Sequence, residues 1–199
     1  MANYRTSRII PTILVVVIVI IAVVALISLA RALFFSDSSN GVVTDTTEQA
    51  LVSTSASSSV SMSVRGPIVA DENFHSYRIV ISPSSRQITT YNGYLDTIVE
   101  QQTLGNNTAA YEQFVNALNL ANMTAGNQRV EGADDVRGVC ATGRVSEFSI
   151  LTDGDPIETL WTSTCGGSKG TLRANATQLS NLFIVQIPDA RSLISGVSL

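Results

Sequence analysis

Residues 75–93 read HSYRIVISPSSRQITTYNG. Two runs rich in β-branched and aromatic side chains, 75–82 and 86–93, flank the joint Pro83-Ser84-Ser85. A short polar joint containing proline between two such runs predicts a hairpin. The reading extends downstream, where 144–151 (RVSEFSIL) and 157–164 (IETLWTST) enclose the turn residues Asp153-Gly154-Asp155-Pro156. Upstream, Val60, Met62 and Val64 alternate with serine, the period of a half-buried strand. Residues 94–104 suit either a further strand or a turn of helix, and the pattern does not choose between them.

Helical spacing appears in two places. Behind the cap Asn107-Thr108, the residues Tyr111, Phe114, Val115 and Leu118 fall at i, i+3, i+4 and i+7, predicting a helix to about Asn122. A second helix is expected from Asn175 to about Gln186, turning Leu179, Leu182 and Phe183 inward and stopping at Pro188. Its LFIV run also suits a strand. Four or five strands with two main helices, and no βαβ rhythm, give an α+β fold built on a small antiparallel sheet.

Ahead of this domain stands an apolar segment. From Ile9 to Ala30 there are 22 residues without a charge. As a helix they span about 33 Å, enough for a hydrocarbon core of about 30 Å. Arg5 and Arg8 precede the span and Arg31 follows it, so the positive-inside bias keeps the N-terminus in the cytoplasm and sends the rest out. Ala30-Arg31-Ala32 offers a small-x-small cleavage site, but the apolar stretch is too long for a cleaved signal peptide. The expected layout is a basic cytoplasmic tail over 1–8, a transmembrane anchor over 9–35 and a Ser/Thr-rich spacer over 36–58. An extracytoplasmic domain over 59–190 and a loose tail over 191–199 follow. Within the spacer, Thr44-Asp45 followed by TTEQALV reads as a short capped helix.

In outline, a long apolar N-terminal helix joined to an α+β head resembles type IV pilins. Those carry a Glu five residues into the helix, whereas no acidic residue precedes Asp37 here, so no pilin role is transferred.

Nine basic residues against all 16 acidic ones lie beyond position 35, a net of −7. Lys169 is the only lysine, and no basic stripe exists to neutralise phosphates, which excludes a nucleic-acid partner.

Reactive constellations are sparse. Cys140 and Cys165 are the only cysteines; a hairpin turning near 153–155 brings them opposite one another, so a disulfide is expected. A catalytic thiolate at Cys165 would need His75, the single imidazole, which opens a different strand. GGSKGT lacks the spacing of a phosphate loop and reads as a flexible connection. The carboxylates Glu131, Asp134 and Asp135, and the pair Asp153 and Asp155, read as a solvated loop and turn chemistry rather than a calcium site. No catalytic residue, metal or cofactor is expected. Tyr91 and Tyr94, around Asn92-Gly93, are candidates for an exposed contact surface.

The sequence therefore describes a single-span, extracytoplasmic module anchored through 9–35, which binds a protein or envelope partner or scaffolds an assembly. The alternatives are a small anchored envelope hydrolase and a fibre or oligomer subunit.

Overall fold

The computed structural model describes residues 42–127 and 135–197; the basic tail over 1–8, the anchor over 9–35 and the first part of the spacer, 36–41, lie outside them. Among the described residues no helix is long and apolar enough to cross a membrane.

Six strands form one antiparallel sheet: β1 (Ser58–Arg65), β2 (His75–Ile81), β3 (Ser85–Asn92), β4 (Thr97–Gly105), β5 (Val145–Thr152) and β6 (Asp155–Ser163). Their order is β4-β3-β2-β1-β5-β6. The early strands add leftward by successive hairpins, and the late hairpin adds on the other side of β1. β1 is thus central. Its serine alternation sorts the two faces, since successive side chains point to opposite sides of a sheet. Register aligns Ile88, Ile79, Met62, Phe148 and Leu160 in one apolar row across five strands. Ser61 and Ser63 fall on the opposite, polar side, where Arg65 pairs with Glu147 at 2.9 Å.

Among the described residues there are four α-helices: α1 (Val42–Leu51), α2 (Thr108–Leu120), α3 (Ala176–Ile184) and α4 (Ala190–Ser195). The apolar row and the helices share one core. Tyr111, Phe114, Val115 and Leu118 of α2 are buried in it, as the spacing predicts. Asn107 caps α2 by accepting from the amide of Ala110 at 2.9 Å. In α3 the LFIV run is helical, because Asn175 caps it and Leu179 and Phe183 both reach the core. Phe183 meets Phe114 edge-on at 5.2 Å and Phe148 at 6.1 Å, tying both helices to the sheet.

Four sequence expectations change. The undecided stretch 94–104 contributes an edge strand, so the strands number six. The late turn is only Asp153-Gly154, with φ of 54° and 90°, the left-handed pair that a two-residue hairpin demands. Asp155 and Pro156 therefore open β6, where a register shift opposite Ile150 and Leu151 accommodates the proline. The folded unit starts at Val43 rather than at 59, because Leu51 of α1 is fully buried. Finally, the segment after Asp189 is not loose. Ala190, Leu193, Ile194 and Val197 sit at i, i+3, i+4 and i+7; Ala190 and Val197 are buried, and Leu193 and Ile194 pack on the core.

Candidate functional site

The structure separates the reactive groups the sequence offers. Cys140 and Cys165 form a disulfide, with their Cα atoms 5.5 Å apart, so no thiolate exists at Cys165. His75 opens β2, and its Nδ1 donates to the Asn73 carbonyl at 3.0 Å. Glu131 and Asp134 lie outside the described residues. Asp135 is clasped by Arg137, whose Nε donates to it at 2.8 Å and holds its carboxyl down at about 2. Asp153 lies in the hairpin turn and Asp155 opens β6, and the described residues contain no group of three or more metal-ligating side chains.

GGSKGT is a strap rather than a phosphate loop. Leu172 donates its amide to the Trp161 carbonyl at 2.9 Å, and Thr171 Oγ1 accepts from the Trp161 amide at 3.1 Å. Thr162 Oγ1 donates to the Lys169 carbonyl at 3.2 Å, and Ser163 Oγ donates to that of Ser168. The strap runs along the outer edge of β6. Gly170, at φ +78°, lets it come so close that a Cβ would collide with the Trp161 carbonyl oxygen.

The opposite edge is open. Among the described residues no strand pairs with the outer side of β4, and Ile98 and Val99 remain 56% and 57% exposed. Val99 is the extra residue of a bulge, since Thr90 faces Glu100 while Tyr91 faces Ile98. The turn before β4 carries Tyr94 and the almost fully exposed Leu95. Tyr94 is held firmly. Its ring stacks on Phe74 at 4.2 Å, its hydroxyl donates to the Val69 carbonyl at 2.6 Å, and its amide donates to Asp71 at 2.7 Å. About half of the residue still faces solvent. Tyr91 is half-buried in β3, so the two tyrosines have different settings. Asp71, Glu72, Asp96 and Glu100 are exposed around this corner.

A second feature is a polar cleft of about 340 Å³ between the sheet and the start of α3. Tyr77, Ser146 and Thr162 line it from the strands, Thr177 and Ser180 from α3, and Arg144 from the loop entering β5. Tyr77 is 94% buried by residue area, at 6% exposure, yet its hydroxyl has no hydrogen-bond partner among the described residues. Burial pushes this phenol up to about 12, with Arg144 pulling the other way, so it is a neutral donor. The Arg144 guanidinium also has no partner among the described residues. Its backbone is fixed by the disulfide region: the Arg144 amide donates to Thr164 Oγ1 at 2.9 Å, and the Thr164 amide to the Arg144 carbonyl at 3.0 Å. Sequence reading missed this cleft because its members come from four distant segments and form no motif. The one signal was Tyr77, a hydroxyl on the side of β2 that carries Ile79 and Ile81 into the core.

No family model matches the chain, and no curated protein matches it either. The functional reading rests on the residues themselves.

Proposed function

We propose that the chain is a single-pass membrane protein, anchored through 9–35 with its N-terminus in the cytoplasm. Its folded unit works outside, where it binds a protein partner by accepting an extended segment along β4. The observation that carries this reading is the contrast between the two sheet edges. β6 is blunted by Pro156 and by the strap over 168–172, whereas β4 leaves a nine-residue edge open. Proteins usually guard such an edge with charge, proline, a bulge or a covering segment; β4 carries one charge, Glu100, and one bulge, but leaves Ile98 and Val99 exposed beside its free backbone groups, which suits strand addition. The apolar side chains of Leu95, Ile98 and Val99, with the locked ring of Tyr94, offer the pockets and anchors for such a strand. The carboxylates of Asp71, Glu72, Asp96 and Glu100 favour basic flanks on the partner. They also disfavour β4 of a second copy, which would bring the same charges together.

The disulfide supports an oxidising location, and the uncharged 22-residue run supports the anchor. The test uses full-length protein in detergent and two short synthetic peptides alternating valine and threonine, one flanked by lysines and one by glutamates. Fluorescence anisotropy is expected to show binding of the lysine-flanked peptide only. The paired change Ile98→Lys with Val99→Lys is expected to abolish it without lowering the melting temperature. Failure of both peptides, or binding that survives the paired change, rejects the reading. Dimers that the paired change dissolves assign the edge to a second copy instead.

A further inference from the structure

We propose that the cleft between the sheet and α3 binds a small molecule carrying both an oxyanion and several hydroxyls, of the chemical class of a sugar acid. This site stands apart from the β4 edge, and its argument does not depend on that edge.

The Tyr77 ring is buried, but its hydroxyl opens onto the cleft, where water or a ligand can meet it. Among the described residues that hydroxyl has no hydrogen-bond partner, so its donor is available to something that enters the cleft. Ser146, Thr177 and Ser180 add hydroxyls around the same space. A ring of hydroxyl donors and acceptors matches a polyol, which needs many short-range partners of both kinds.

The charge comes from two sources that act in the same direction. Arg144 offers a guanidinium with no partner among the described residues, and its fork suits carboxylate or phosphate oxygens. Ala176 and Thr177, the first two residues of α3, also line the cleft. Early amides of a helix have no partners within it and carry the positive end of its dipole, which favours an anion. Among the described residues no carboxylate lines the cleft to oppose them. Its volume is near the small end of the roughly 300–1,000 Å³ of ligand clefts, which suits one ring-sized molecule.

The disulfide places Arg144. It joins residue 140, just ahead of β5, to residue 165, just past β6, and so closes the end of the hairpin at which the paired Arg144 and Thr164 backbones continue the β5–β6 register.

The experiment is calorimetry on full-length protein in a detergent without a sugar headgroup, using glucuronate as the probe. Glucose and inorganic phosphate serve as its two halves. Glucuronate is expected to bind about tenfold or more tightly than either half. Arg144→Gln and Tyr77→Phe are each expected to weaken it by about tenfold. Neither change should disturb folding: Arg144 is exposed, and Tyr77→Phe removes only a hydroxyl without a protein partner. Thermal melts of both variants check that point. The proposal is overturned by absence of binding at millimolar glucuronate, by equal affinity for glucose and glucuronate, or by affinity that ignores both substitutions.

Discussion

Two residues show how single side chains, or their absence, set local stability. Gly170 combines a positive φ with a backbone approach that leaves no room for a Cβ. Gly170→Ala is expected to cost about 2 kcal/mol or more, from left-handed strain and the displaced strap together. Chemical denaturation of the variant checks it, and an unchanged midpoint would mean that the strap does not hold β6. Glu158, on β6, is the second case. Partial burial raises its pKa above the ordinary value, while a hydrogen bond from Thr47 lowers it. The raised pKa means that the folded state holds this proton more tightly than the unfolded one. Stability from this group is therefore present in acid, below the unfolded carboxylate pKa, and is lost as pH rises through the folded value. Glu158→Gln keeps an acceptor for Thr47 and removes the charge. It is expected to stabilise at neutral pH, by no more than about 0.5 kcal/mol because water screens a half-buried group. In acid the gain should vanish. A gain that grows in acid would reverse the sign argued here.

At the scale of elements, α4 makes the sharpest test of how the chain ends. Ala190 and Val197 are buried, and Leu193 and Ile194 pack on the core. A chain stopped after Asp189 is expected to lose about 2–5 kcal/mol, comparable to emptying one large core position. Phe183→Ala should cost about 3–5 kcal/mol, since that ring alone joins α2, α3 and β5. A truncated chain that melts normally would restore the loose tail. The missed helix also shows what the sequence displays and what it conceals. The hairpins and α2 were legible because their periods are long and their turn residues unambiguous. α4 has the i, i+3, i+4, i+7 spacing too, but it is six residues long and lies among serines and glycine, which lower local helix preference. β4 was ambiguous for another reason. As an edge strand it has one neighbour, so its residues need no strict alternation, and Thr97 to Gln101 are exposed on both faces. Of the candidate sites, the Cys140–Cys165 bridge follows from the hairpin geometry, whereas the clamp of Phe74, Val69 and Asp71 on Tyr94 is built by contacts that no local pattern displays. The polar cleft had no sequence period at all, because tertiary packing alone assembles it.

At the scale of the whole molecule, two independent features support the proposed placement of the folded unit outside the cytoplasm. Flanking arginines govern insertion and act before any folding. The disulfide persists only where thiols are not kept reduced, and it acts after folding. Either could mislead alone. The arginine bias is small, two residues against one, and a hairpin that holds two cysteines 5.5 Å apart would oxidise in any permissive setting. Their agreement can be read in one experiment. Protease added to intact cells or spheroplasts is expected to cut the chain within the spacer and remove the folded domain. Denatured without reductant, the protein should not react with a maleimide; after reduction both cysteines should label. The bridge closes 25 residues, so reduction should also lower stability by roughly 3 kcal/mol. A domain protected until the membrane is opened, together with thiols that label at once, would place it in the cytoplasm. In that case the partner proposed for β4 would have to be a cytoplasmic one.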